Sequence, residues 1–125
     1  MTTSQEPATA TGPVRRFTRA GHLPQAQTLG QLREKIDMLD EQIVALLAQR
    51  ALCVRDATRF KLDAFQVAAP ARQAAVFERV RALALAHEAA FPGLPDIIES
   101  TYRTLVGGFI AAEGRFFHDT ELIQS

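Results

Sequence analysis

Apolar residues recur at steps of three and four from Leu29 to about Leu62, with no Pro or further Gly between Gly30 and Pro70. Such steps place side chains on one face of an α-helix. This apolar stripe of the first helix consists of Leu29, Leu32, Ile36, Leu39, Ile43, Leu46, Val54 and Ala57. Thr28 is the expected N-cap, because its hydroxyl can accept from the amide of Gln31. The pattern predicts a helix of roughly 33 residues, about 50 Å long at 1.5 Å per residue.

Two shorter helices are predicted after it. Residues 63–69 are expected to be a loop, and Pro70 suits the first turn of a second helix that ends near Ala89. The segment FPGLP, Phe91 to Pro95, is a turn by composition, and the third helix is expected over about Asp96–His118. The apolar positions of these two helices are Val76, Phe77, Val80 and Leu83, then Ile98, Tyr102, Leu105, Phe109 and Phe116. With no alternating strand pattern, the sequence predicts an all-α fold of three helices, one long and two shorter.

The first helix is too long for a compact monomer of 125 residues. A long helix with a leucine stripe usually pairs with a copy of itself, so we expect a helical homodimer. Residues 1–27, rich in Thr, Ala, Pro, Gly and Gln, are predicted to be a flexible N-terminal arm. Residues 28–125 are predicted to form the helical domain.

Composition excludes several classes of partner. Lys and Arg total 14 and Asp and Glu total 14, so the net charge is zero, and neither nucleic acid nor an anionic membrane is an expected partner. No apolar run could span a bilayer, and no signal-type segment is present, so a cytoplasmic location is expected. The single cysteine, Cys53, rules out an intramolecular disulfide and suggests a small core residue. The three histidines lack metal-ligand spacing, so no metal is expected.

Two cations interrupt the apolar stripe of the first helix. Arg50 and Lys61 are eleven residues apart, which in a helix places them ~20° apart around the axis and ~16 Å apart along it. Because an unpaired buried charge is costly, this placement predicts a small anionic ligand between them. The alternative is that each cation extends to the surface or pairs with a structural Asp or Glu.

Arg33 has a different position on the same helix. It precedes Arg50 by seventeen residues, which puts it about 100° around the axis and roughly 25 Å away. Arg33 therefore cannot reach the same pocket and, if functional, would serve the equivalent pocket of a dimer partner. Otherwise it is a solvated residue.

Glu113 lies on the apolar face of the third helix. Apolar surroundings raise the pKa of a carboxyl group, and the protonated form can donate a hydrogen bond. The alternative is a residue near the helix end that pairs with Arg115. Gly107 and Gly108, in mid-helix, indicate a close approach of the backbone to another group.

The run LREKIDMLDEQIVALLAQR, Leu32 to Arg50, closely resembles the first helix of the all-helical AroQ-type chorismate mutases. That group also includes the isochorismate-pyruvate lyases, and the resemblance covers about Leu29 to Phe117. The family's three cationic positions correspond to Arg33, Arg50 and Lys61. Further matches are Arg72, at a basic site near the active-site loop, and Glu113, where the family has Gln or Glu.

The resemblance implies an intertwined homodimer with shared active sites, each taking Arg33 from the other chain. It implies a small dianionic substrate, chorismate or isochorismate, whose carboxylates the arginines hold. Lys61 and Glu113 would donate to the ether oxygen that gains charge as its bond to the ring breaks. No covalent intermediate and no cofactor are implied.

Three functions follow as hypotheses. The first is a chorismate mutase, which rearranges chorismate to prephenate in aromatic amino-acid biosynthesis. The second is an isochorismate-pyruvate lyase, because Ala69 and Gln73 stand where mutases often have acidic residues around the ring hydroxyl. Gln73 is nevertheless expected to contact substrate, and Phe109 replaces a small polar residue or tyrosine. The third is a non-catalytic helical dimer with a regulatory or interaction role.

Overall fold

The computed structural model describes residues 8–18 and 26–123. Within these ranges the chain forms α-helices, one turn of 3-10 helix and no β-strand. The helices are α1, Leu29–Ala57; α2, Ala64–Ala68; α3, Pro70–Leu85; and α4, Leu94–His118, with the 3-10 turn at Thr58–Phe60. The predicted all-α fold is confirmed, with one long and two shorter main helices in the predicted order.

Helix α1 begins as predicted and ends earlier. The Thr28 hydroxyl accepts from the Gln31 amide at 3.1 Å, as expected of an N-cap, while the Gln31 side chain accepts from the amide of Gln27 at 2.8 Å. At the other end, α1 stops at Ala57 rather than near Leu62. The chain tightens into the 3-10 turn, and Lys61 is extended, with φ −95° and ψ 135°. The helical geometry predicted for Lys61 was therefore wrong.

A short helix, α2, occupies the segment that was predicted to be a loop. The Asp63 carboxylate accepts from the Gln66 amide at 2.9 Å, and the Gln66 side chain accepts from the Leu62 amide at 2.7 Å. This reciprocal arrangement resembles a capping box, so the spacing of Asp63 and Gln66 carried a helix-start signal in the sequence. The helix ends at Ala69, whose φ of 44° lies in the left-handed region, and Pro70 begins α3 directly.

The connection between α3 and α4 is longer than predicted. Helix α3 ends at Leu85, not near Ala89, and α4 begins at Leu94. Gly93 has a φ of 90°, which glycine adopts without a Cβ penalty. The Glu88 carboxylate accepts from the Gly93 amide at 3.2 and 3.3 Å, and this contact stabilises the turn before α4.

The chain divides into two units, one ending at Ala45 and the other beginning at Leu46. In the second unit α3 packs against α4, and α2 and the 3-10 turn also contact α4. The core of this unit is the cluster of Val76, Phe77 and Val106, with Val80, Tyr102 and Ile110 packed around it. This cluster joins the middle of α3 to the middle of α4.

In the first unit, residues 8–18 form no helix or strand. The predicted flexible arm, residues 1–27, also includes 1–7 and 19–25, which lie outside the described residues. That part of the domain division stays a prediction.

No residue of α1 is buried, although the helix carries the longest apolar stripe of the sequence. Its side chains Leu32, Ile36, Leu39, Ile43 and Leu46 are between 40% and 62% exposed. A face of this kind is apolar enough to be buried, yet these side chains are exposed among the described residues. None of the described helices is both long and apolar enough to cross a membrane.

The mid-helix glycines of α4 do not meet the expectation drawn from the sequence. A Cβ added at Gly107 or Gly108 would find no atom within 4 Å. The expected close approach to these glycines is therefore not made within the described chain.

The first prediction concerns the core of the second unit. Phe77 is 9% exposed, and the Arg103 guanidinium lies 4.5 Å from its ring centroid. Phe77→Ala should lower the free energy of unfolding by about 3 kcal/mol, because a large buried side chain leaves a cavity. Phe77→Leu, which keeps most of the volume, should cost about 1 kcal/mol. Urea unfolding at one fixed protein concentration measures both values, and equal losses would contradict this account of the core.

Candidate active site

A cavity of about 330 Å³ lies in the second unit, between the last turns of α1, the junction of α2 and α3, and the middle of α4. Its charged and polar lining consists of Arg50, Cys53, Lys61, Arg72, Gln73 and Glu113. Its apolar walls include Val54, Val67, Val76, Val106 and Ile110. The cavity therefore combines apolar walls with a local excess of positive charge.

Three cations line the cavity: Arg50, Lys61 and Arg72. None of them forms a salt bridge with any residue that the structure describes, whereas Arg81 pairs with Asp96 at 2.7 Å elsewhere. The alternative explanation, in which Arg50 and Lys61 pair with structural carboxylates, is thus not met here. The cavity presents positive groups that an anionic ligand could pair.

Arg50 projects from α1 and is half-buried. Its guanidinium carbon lies 5.7 Å from the ring centroid of Tyr102 and 5.4 Å from that of Phe109, both on α4. Both distances are within the range of a cation–π interaction. Because the rings attract the charge through their π faces, they do not use up the N–H donors.

Lys61 reaches the cavity by a route that the sequence did not predict. It follows the 3-10 turn in an extended conformation, and its Nζ donates to the backbone carbonyl of Gln66 at 3.0 Å. That carbonyl lies in the last turn of α2, where carbonyl groups lack helical partners. An ammonium has three donors, so this contact orients Lys61 and leaves donors for a ligand.

Glu113 is the carboxyl group that faces these cations. It is only 5% exposed, and its Oε1 has no hydrogen-bond partner within the described chain. Burial raises the pKa of Glu113, while the positive charge of Lys61 and, to a smaller degree, the Thr58 hydroxyl oppose the rise in pKa. The Thr58 hydroxyl also donates to the Val54 carbonyl at 3.4 Å. The direction of this pKa shift is the one expected for a carboxyl group in apolar surroundings, and Glu113 forms no salt bridge with Arg115.

Arg72 and Gln73 lie at the start of α3, and both line the cavity. Arg72 is exposed. The Gln73 side-chain amide donates to the Ala68 carbonyl, and its backbone amide donates to the Ala69 carbonyl at 3.0 Å. Gln73 therefore stabilises the tight junction of α2 and α3, and its side-chain oxygen remains available to a ligand.

The remaining sequence expectations have mixed outcomes. Arg33 is an exposed residue of α1 in the first unit and is not among the residues that line this cavity. Cys53 was predicted to be a core residue, and this was wrong, because it is exposed and lines the cavity. Its position three residues after Arg50, on the same helix face, was the signal that could have placed it there. The contact of Tyr102 with Arg50 had no signal in the sequence.

This arrangement suits a small anion that carries an apolar ring. Arg50 can bind a carboxylate through two parallel N–H donors, and Lys61 can donate to a second oxygen. Glu113, when protonated, adds a neutral donor to the same space. The described residues contain no group of three or more His, Cys, Asp or Glu side chains that could hold a metal ion.

A scan against protein-family models matches residues 32–114 to chorismate mutase type II. A search of curated proteins finds no match. The matched region includes the whole cavity and also Arg33. Since it spans well over half of the chain, the chain belongs to the chorismate mutase type II family, an all-α family of enzymes of the chorismate mutase kind.

Proposed function

We propose that this chain is a chorismate mutase, which rearranges chorismate to prephenate. The observation that supports it most strongly is the cavity itself, where Arg50, Lys61 and Arg72 have no ion-pair partner among the described residues and line the same space as the buried Glu113. Chorismate carries two carboxylates on a small apolar ring, which matches positive groups set in apolar walls. The cavity volume of about 330 Å³ lies at the lower end of the range of small-molecule sites.

Binding begins with the carboxylates. The Arg50 guanidinium takes one carboxylate in bidentate fashion, because its planar pair of donors matches the two oxygens. Arg72, in the first turn of α3, adds positive charge to the same cavity. These contacts bind the substrate in the cavity with its side chain close to the ring.

The chemical step needs no group from the protein to bond to substrate. A carbon–oxygen bond breaks while a carbon–carbon bond forms, all within one molecule, and negative charge develops on the ether oxygen. Lys61 and protonated Glu113 donate to that oxygen, and both donors are fixed beforehand, Lys61 by the Gln66 carbonyl and Glu113 by burial. Donors oriented before the reaction stabilise the transition state more than the ground state.

A residue from a second copy of the chain would bind the second carboxylate of the substrate. Among the described residues, the part of the apolar stripe from Leu32 to Leu46 is exposed, and a matching stripe on a second copy is the simplest surface that would bury it. We propose an intertwined homodimer in which Arg33 of the partner subunit completes each site. Dimerisation would then both bury the stripe and supply the missing guanidinium.

Isochorismate-pyruvate lyase is the second candidate, because the junction of α2 and α3 lines the cavity with Ala69 and Gln73 rather than with carboxylates. The mutases that the sequence resembles often have acids there for the ring hydroxyl. The lyase would use the same cations to cleave isochorismate to salicylate and pyruvate.

The second prediction separates these functions. Purified protein is given chorismate and isochorismate in turn, and prephenate or fluorescent salicylate is measured; we expect prephenate. Arg50→Ala should lower kcat/KM by about 100-fold or more, because a desolvated charge pair loses one partner.

Arg79 is an exposed cation of α3 outside the cavity, so Arg79→Ala is the matched control and should leave kcat/KM unchanged. Salicylate alone would favour the lyase, and no product from either substrate would favour the non-catalytic dimer.

The third prediction concerns pH. Since burial raises the pKa of Glu113, the donor is present below that raised pKa and is lost as the pH rises through it. Activity of the wild type should therefore fall as the pH rises through the raised pKa of Glu113. Glu113→Gln keeps an N–H donor at every pH, so its activity should not show this fall. Glu78→Gln, an exposed α3 carboxyl, is the matched control and should keep the wild-type profile. A flat wild-type profile from about pH 5 to 9 would rule out the donor role of Glu113.

The fourth prediction tests the shared site by subunit mixing. Arg33→Ala and Arg50→Ala chains, each inactive alone, are co-expressed in equal amounts. If Arg33 comes from the other chain, half of the dimers are mixed, and each mixed dimer has one intact site, so about a quarter of wild-type activity returns. Mixing Arg50→Ala with Lys61→Ala, two residues of the same cavity, should restore nothing. Equal recovery in both mixtures, or none in either, would refute the exchange of Arg33.

A further inference from the structure

We propose that Tyr102 and Phe109 are positioning residues, which hold the Arg50 guanidinium in the orientation that binds a substrate carboxylate. The inference rests on the proposed function in so far as Arg50 binds that carboxylate. It concerns how this arginine is kept in place when the described chain gives it no ion-pair partner.

Both rings lie against Arg50 from the same helix. Tyr102 and Phe109 are seven residues apart on α4, which places them two turns apart on one face. The guanidinium carbon lies 5.7 Å from the first ring centroid and 5.4 Å from the second. Arg50 is therefore held from two positions, which restricts its rotation more than a single contact would.

The two rings are themselves held in different ways. Tyr102 packs against the core cluster of Val76, Phe77 and Val106, whereas Phe109 lines the cavity. The first ring thus links Arg50 to the best-packed part of the second unit. The second ring also places an apolar group beside the guanidinium, and a lower local dielectric strengthens the interaction of a charge with an incoming anion.

Aromatic rings suit this role better than a carboxylate does. A structural Asp or Glu would orient Arg50 but would also occupy its paired N–H donors and cancel its charge. A π face attracts the cation while leaving those in-plane donors unused. The rings therefore orient Arg50 without competing with the substrate.

The chain contains a matched pair outside the cavity. The Arg55 guanidinium lies 5.6 Å from the ring centroid of Phe116, and neither residue lines the cavity. This pair joins the same two helices through the same type of contact. Loss of the Phe116 ring therefore serves as a control, because it removes the same type of contact between α1 and α4 without changing the surroundings of Arg50.

The kinetic test compares loss of each ring with its retention. Phe109→Leu and Tyr102→Leu should each raise KM by about tenfold with little change in kcat, because carboxylate binding is lost equally from the ground and transition states. Phe109→Tyr and Tyr102→Phe, which keep a ring, should recover most of that loss. Phe116→Leu should leave KM unchanged. A rise in KM with Phe116→Leu as large as with the other two would overturn the proposal.

A second readout does not depend on turnover. In a ¹⁵N-labelled sample, the Nε–H resonance of Arg50, assigned by its loss in Arg50→Lys, should be displaced by the ring currents and should move in both leucine variants. A resonance that does not move in either variant would overturn the proposal. If the wild type turned over neither substrate, the proposed function would fall, and this resonance would still decide whether the rings orient Arg50.

Discussion

A positive charge that is partly removed from water is stable only when negative or electron-rich groups lie next to it. The cations that line the cavity of the second unit have such neighbours. Arg50 faces two aromatic rings, and Lys61 donates to the Gln66 carbonyl at the end of α2. Glu113 provides only partial compensation, because burial opposes its ionisation. Each of these partners leaves donors unused. The cavity therefore carries more positive than negative charge, and in the proposed function a small dianion would supply the missing negative charge.

The sequence predicted the parts of this arrangement that depend on periodicity. Arg50 and Glu113 each interrupt an apolar stripe, and both line the cavity. Lys61 also lines the cavity, although the helix that was predicted to carry it ends at Ala57. The end of α1 depends on a local competition, in which the chain either continues the helix or begins α2 with its cap at Asp63. The apolar periodicity continues past this point, so it does not show where α1 ends. The contact of Arg50 with Tyr102 joins residues far apart in the chain, so only packing determines it.

The exposed stripe of α1 connects the stability of the fold with the proposed function, because a second copy that covers the stripe would affect both. Among the described residues, the buried apolar side chains are Val67, Val76, Phe77, Ala84 and Val106, and none belongs to α1. A second copy packed on α1 would add the apolar burial that this small core lacks. In the proposed dimer the same contact delivers Arg33 of the partner subunit to the site. Folding, association and activity would then share one interface, and all three would depend on protein concentration.

Substrate and proton also act on each other in this cavity. Without ligand, the Lys61 ammonium is the main influence that lowers the pKa of Glu113, against the larger effect of burial. A bound dianion would pair with Lys61, weaken that opposition and bring its own negative charge near the carboxyl group. Both effects raise the pKa of Glu113 further, so binding favours the protonated form that donates a hydrogen bond. In the proposed mechanism, the negative charge that the substrate brings therefore helps to keep Glu113 in the state that the reaction needs.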